Sequence, residues 1–181
     1  MLTSFARTQE EMVSPSVDIL SADELLKIED LHTYFHTEQG LVKAVNGVSF
    51  DLRQSRVLGV VGESGCGKSM TALSVMQLLP EPKGKIHAGK ILYNRGEKGV
   101  IDLAKQDPRG PVMRDIRGNE IAMIFQEPMT SLNPVMTVGE QIMEVVELHR
   151  QVSRNEALQI ATDMLQKVGI PSPEQRVKEY P

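Results

Sequence analysis

The sequence predicts an α/β fold: N-terminal antiparallel strands, then a strand, glycine-rich loop and helix, then further helices. Three observations predict it. Apolar and polar residues alternate between Leu25 and Leu52, the mark of half-buried strands. The stretch Gly62-Glu63-Ser64-Gly65-Cys66-Gly67-Lys68-Ser69 reads G-x-x-x-x-G-K-S, between a short apolar run and a helical one. Beyond Thr137 the apolar spacing turns helical, and two capping boxes open the helices.

In chain order, residues 1–24 carry Ser14, Pro15, Ser16 and several acidic side chains with no sustained period, the composition of a loose polar extension. Leu26 and Ile28 then alternate with Lys27 and Glu29, and Thr33-Tyr34-Phe35 continues with strand-favouring residues. Glu38-Gln39-Gly40 reads as a turn. Val45 leads through Asn46-Gly47 into Val48-Ser49-Phe50-Asp51-Leu52, so two or three antiparallel strands precede the glycine-rich loop. Val57-Leu58-Gly59-Val60-Val61 has the composition of a buried strand. Residues 69–79 are helical in period, with Ala72, Leu73, Val75, Met76 and Leu79 on one side and Pro80 as the stop. Lys90-Ile91-Leu92-Tyr93 and the weaker Val100-Ile101-Asp102-Leu103 are strands. A short helical piece near Met113–Arg117 ends at Gly118, and Ile121–Phe125 reads as another buried strand. Thr137-Val138-Gly139-Glu140 and Ser153-Arg154-Asn155-Glu156 are capping boxes. The first opens a helix with Val138, Ile142, Val145 and Val146 on one face. The second opens a helix with a stripe of Leu158, Ala161, Leu165 and Val168, closed by Gly169 and Pro171.

The glycine-rich loop carries the chemistry. Glycines let successive backbone N–H groups turn inward around a polyphosphate, and the following helix points the positive end of its dipole at that anion. Lys68 reaches the outer phosphates as a point charge. Ser69 offers a hydroxyl to Mg²⁺, which prefers hard oxygen ligands. Glu63, Ser64 and Cys66 fill the variable positions and contribute their backbone N–H groups. A glycine-rich turn can arise by chance; the frame of strand, loop and helix points to a nucleoside-triphosphate site.

Bulk properties narrow the class. The chain has 181 residues, with 40% apolar and 24% charged content, which suits a soluble domain with a sizeable core. Net charge is −4, so nucleic acid is not an expected partner. No apolar run approaches the roughly 18 residues of a membrane helix. The N-terminus carries Glu10 and Glu11 and no apolar core, unlike a secretory signal. The single cysteine, Cys66, allows no internal disulfide and fits a reducing compartment. His32, His36, His87 and His149 form no metal-ligand pattern.

Three stretches carry a family likeness: Val42-Lys43-Ala44-Val45-Asn46-Gly47-Val48-Ser49-Phe50, then Leu58 through Ser69, then Ile124-Phe125-Gln126-Glu127-Pro128-Met129-Thr130-Ser131-Leu132-Asn133-Pro134. Together they resemble the ATP-binding subunits of ATP-binding cassette (ABC) transporters, in particular those of dipeptide and oligopeptide importers. The likeness covers roughly residues 25–181 and implies a P-loop NTPase core of the ABC ATPase type. Residues 25–135 would form the nucleotide-binding core and residues 136–181 the start of the helical subdomain. ATP and Mg²⁺ are the implied cofactors. Membrane-spanning permease subunits and a second ATP-binding subunit are the implied partners, with the protein peripheral on the cytoplasmic face of the inner membrane.

By position, Gln126 resembles the Q-loop glutamine that touches Mg²⁺ and the attacking water; a neutral amide can do either without adding charge. It is otherwise a polar residue at a strand end. Phe35 resembles the aromatic that stacks on adenine, a contact of about 1–3 kcal/mol by analogy with base stacking elsewhere. Tyr34 takes that role if the register slips by one, and either ring also suits a strand residue packed in the core. The family pattern further calls for a Walker B strand ending in Asp-Glu, a Leu-Ser-Gly-Gly signature and a switch histidine. None of these occurs in the sequence; Gly99-Val100-Ile101-Asp102 is the nearest approach to Walker B. The resemblance therefore implies the N-terminal portion of a longer subunit, with the C-terminal part of the fold absent and no turnover expected from the 181 residues alone. The other reading is a non-catalytic nucleotide-binding or regulatory remnant.

Overall fold

The computed structural model describes residues 20–80, 82–125 and 131–181. The polar extension read over residues 1–24 falls largely outside them. The chain divides between Gln106 and Asp107 into two compact units.

The first unit is built on a four-stranded sheet. Strands β1 (Glu24–Thr37) and β2 (Gly40–Arg53) form a long antiparallel hairpin. Gly40, at φ +119°, supplies the turn conformation that glycine adopts without penalty. Asn46-Gly47 does not break β2. Gly47, at φ +77°, is the extra residue between the pairs Leu31–Val48 and His32–Asn46, a bulge inside one continuous strand. Strand β3 (Gly84–Asn94) pairs with the other side of β1, and β4 (Val100–Asp102) pairs with β3. The order is β2-β1-β3-β4, every neighbour antiparallel. Helix α1 (Lys68–Val75) lies against β1 and β2. Buried apolar side chains come from β1 (Ile28, Leu31), β2 (Val45), α1 (Val75), β3 (Ile91, Leu92) and the turn after β4 (Leu103). Full burial of each such side chain contributes about 1.5–3 kcal/mol.

The second unit is helical. Helix α2 (Pro111–Ile116) starts with proline in its first turn, where the missing N–H is no loss. Helices α3 (Val138–His149) and α4 (Arg154–Lys167) pack around Met143, Ala157, Ala161 and Leu165, with Val177 from the segment after the short helix α5 (Pro173–Arg176). Both capping boxes are present in full. Thr137 accepts from the Glu140 N–H and Ser153 from the Glu156 N–H, while each glutamate reaches back to its cap's N–H. The next two amides of α3 are met by backbone: Val138 donates to the Glu179 carbonyl at 2.9 Å and Gly139 to the Val177 carbonyl at 2.8 Å. Helix α4 ends as expected at Gly169, whose φ of +78° lets Ile170 N–H reach back to the Leu165 carbonyl.

Four expectations change. Val57–Val61 is not a strand: Val57 is 100% and Val61 93% exposed. Ile121–Phe125 forms only an isolated bridge, Arg117 to Ile121, and Ile124 is 93% exposed. Both segments have strand composition, but a strand exists through lateral hydrogen bonds, and no described segment forms a ladder with either. Helix α1 ends at Val75 and not at Leu79, because Gln77 adopts φ +51° and Leu78 N–H closes onto the Leu73 carbonyl. On the helical stripes, Val145 and Val168 face solvent, and Met143 takes the central core position instead.

Candidate functional site

The glycine-rich loop occupies the turn into α1, and its backbone shows why each glycine is there. Gly67 is the N-cap of α1 in the left-handed conformation, φ +98° and ψ 1°. A Cβ at Gly67 would collide with the Ala44 carbonyl oxygen of β2. Gly65 is also left-handed, φ +81°, with open space around it. Gly62 is not left-handed; a Cβ there would stand 2.7 Å from Cys66 Sγ, so that thiol would have to turn aside. The exposed Cys66 donates its N–H to the Glu63 carbonyl at 3.3 Å, closing a turn over Glu63–Cys66. Glu63 and Ser64 are exposed on that turn.

The Lys68 ammonium sits within this loop. It donates to the Gly62 and Glu63 carbonyls, each at 2.7 Å, and lies 3.5 Å from Cys66 Sγ. No carboxylate among the described residues pairs with it, and the first turn of α1 carries no acidic side chain. The ammonium is thus held by two carbonyls and the Cys66 sulfur, with no described carboxylate beside it, at the positive end of a helix. That arrangement attracts an anion. Ser69 is exposed in the first turn, and its hydroxyl makes no hydrogen bond among the described residues.

The two aromatic candidates separate onto opposite faces of the sheet. Thr33 points toward α1, where it bonds Ser74. Strand alternation places Phe35 on that same face and Tyr34 on the other. Phe35 lies half-buried across β3: a Cβ on Gly84 would come within 2.6 Å of its ring. Tyr34 is engaged elsewhere. Its ring stacks on His87 with centroids 4.8 Å apart, and its hydroxyl donates to Asn46 Oδ1 at 3.1 Å. Gln126 lies outside the described residues. Asp102, the nearest approach to a Walker B carboxylate, serves the sheet instead. Its Oδ1 accepts from Ile91 N–H at 3.0 Å and Ala104 N–H at 3.1 Å, tying β4 to β3.

A family model described as ABC transporter matches residues 45–181. The chain belongs to the ABC transporter family. It is 48% identical over 160 residues to the probable peptide ABC transporter ATP-binding protein y4tR of Sinorhizobium fredii, covering 88% of this chain and 46% of that protein. It is 46% identical over 167 residues to the glutathione import ATP-binding protein GsiA of Escherichia coli strain K12, covering 92% of this chain and 26% of that one. The chain thus spans less than half the length of either curated relative. Among solved structures, the fold is similar to the ATP-binding cassette MJ0796 in a dimeric, post-hydrolysis state with ADP and Pi, at TM-score 0.68 and 17% identity over 87% of this chain and 62% of that one. It is also similar to cbiO1 from Clostridium perfringens, described as part of the transporter complex cbiONQ, at TM-score 0.57 and 20% identity over 87% and 54%. These two likenesses concern the fold, and they place this ABC transporter chain with ABC ATPase cassettes. Among its described residues no helix is long and apolar enough to cross a membrane.

Sequence reasoning missed three contributors to the site: the Ala44 carbonyl under Gly67, the hydroxyl pair of Thr33 and Ser74, and the left-handed Gln77 that ends α1. The only hint in the sequence is a serine and a threonine among apolar neighbours on elements that pack together.

Proposed function

We propose that this chain is the phosphate-holding portion of an ATP-binding subunit that energises import of dipeptides or oligopeptides. One observation carries the reading: Lys68, unpaired by any described carboxylate, held 2.7 Å from two loop carbonyls at the start of α1. Lys68 and the N–H groups of residues 62–69 would hold the phosphates. Phe35 shares a sheet face with α1, which supports it over Tyr34 as the ring beside the base. Ser69 Oγ and the Gln126 amide would hold Mg²⁺, which neutralises charge on phosphate oxygens when bound. The exposed Ser69 hydroxyl fits that use.

The names of two relatives support a peptide cargo. One is named for peptides and the other for glutathione, itself a tripeptide. The permease subunits and a second ATP-binding subunit are the partners this reading requires, at the cytoplasmic face of the inner membrane. The test is uptake of labelled dipeptides, oligopeptides and glutathione by the host after deletion of the gene. Peptide uptake should fall, return with the reintroduced gene and stay low with its Lys68→Ala form. Unchanged uptake of all three would refute the cargo class. Full rescue by Lys68→Ala would refute the role of the loop.

A further inference from the structure

A buried hydroxyl pair joins the strand that carries Phe35 to the helix that follows the phosphate loop. Thr33 Oγ1 and Ser74 Oγ lie 2.8 Å apart, and both residues are 0% exposed. Counting protons fixes the direction of the bond. Ser74 has one hydroxyl proton and donates it to the Met70 carbonyl at 2.7 Å. Its oxygen must therefore accept from Thr33. The relay runs from the Thr33 hydroxyl to the Ser74 hydroxyl to the carbonyl of Met70, the residue directly after Ser69. Thr33 lies two residues before Phe35 on the same face of β1.

The same helix is located at a second point, where Gly67 meets the Ala44 carbonyl of β2. Apolar contact alone would hold α1 against the sheet without selecting one register, since it is non-directional. A hydrogen bond is directional, and breaking it in a buried site leaves a polar group unsatisfied. The pair thus admits one setting of α1 along β1.

We propose that Thr33 and Ser74 are positioning residues that set the Phe35 ring at a fixed separation from the phosphate loop, and so make the site favour a nucleotide over a bare polyphosphate. The inference rests on reading residues 62–69 and Phe35 as a nucleotide site. A nucleotide must span ring and loop, whereas tripolyphosphate needs the loop alone.

The experiment is equilibrium binding of Mg-ATP and of Mg-tripolyphosphate to the 181-residue chain, in wild type, Thr33→Val, Thr33→Ser and Ser74→Ala, with circular dichroism to establish folding. Thr33→Val keeps the shape and removes the donor. Thr33→Ser keeps the donor. ATP affinity should fall about tenfold in Thr33→Val and Ser74→Ala, the scale of one displaced base stack, with tripolyphosphate affinity unchanged and Thr33→Ser close to wild type. If Thr33→Val does not fold, the same ratio in Ser74→Ala decides. Equal loss for both ligands, or no loss, in a wild type that binds both overturns the positioning role. A wild type that binds neither refutes the nucleotide site itself, and positioning with it.

Discussion

Replacing Gly67 with alanine separates two physical causes that coincide at the start of α1. The first is conformational. Gly67 holds φ +98°, and an L-residue in the left-handed region costs roughly 1–2 kcal/mol. The second is steric. The new Cβ meets the Ala44 carbonyl oxygen, with the carbonyl carbon at 3.4 Å and Val45 Cγ2 at 3.7 Å. Backbone must move, and overpacking of this kind adds about 1–3 kcal/mol. Ala44 sits at an irregularity of β2, between the pairs Thr33–Val45 and Tyr34–Lys43, and β2 is an edge strand, so relaxation keeps the sum near 2–4 kcal/mol. Gly65→Ala is the control. Its φ is +81° and nothing lies within 4 Å of its Cβ, so it carries the conformational cost alone, about 1–2 kcal/mol. Urea unfolding of the two variants and wild type, followed by far-ultraviolet circular dichroism, measures both. Gly67→Ala should be the less stable variant by at least 1 kcal/mol or so. Equal losses in the two variants would refute the close approach of the loop to β2.

Other outcomes follow from the helical unit. Thr137→Ala and Ser153→Ala each remove a cap and should lower its stability by about 1 kcal/mol in denaturant titrations. The backbone N–H and hydroxyl of Thr137 hold the Glu140 carboxyl below its usual 4.5; the hydroxyl and N–H of Ser153 do the same for Glu156. A carboxyl depressed in the folded state contributes stability that is present above the unfolded value and lost as pH falls through the folded one. The thermal midpoint of this unit should therefore drop on acidification through the carboxylate range, and the Thr137→Ala, Ser153→Ala double variant should show a shallower drop. Gly139→Ala places a Cβ against the Val177 carbonyl that now accepts the Gly139 N–H, and should cost roughly 2 kcal/mol or more by the same titration.

What the sequence made legible was local. The loop is readable because Gly62, Gly65, Gly67, Lys68 and Ser69 each answer a need within eight consecutive positions. The hairpin is readable because alternation at Leu26–Glu29 and along Val48–Leu52 reports one buried face, although the irregularity at Asp30 (φ +46°) passes that face to Leu31 and Thr33 unannounced. The capping boxes are readable because cap and glutamate stand three residues apart. What stayed hidden depends on partners far along the chain. Val57–Val61 has the composition of a strand, yet its state is decided by whether another segment lies alongside. Gln77 is an unlikely residue for a left-handed helix end. Its side chain bonds the Leu103 carbonyl at 2.6 Å, a contact with no local signal. Thr33 and Ser74 are separated by 41 residues, and neither announces the other. Which of Phe35 and Tyr34 shares a sheet face with α1 needed the observed register, because a shift of one residue exchanges the faces of the sheet.

The central claim is that Lys68, held by the loop carbonyls, is the charge that receives a triphosphate. Calorimetric titration of Mg-ATP into the 181-residue chain and its Lys68→Ala variant tests it directly. Saturable one-to-one binding by the wild type, weakened at least about tenfold in the variant, is the predicted result. Equal affinity in the two proteins, or no binding by a folded wild type, would contradict it.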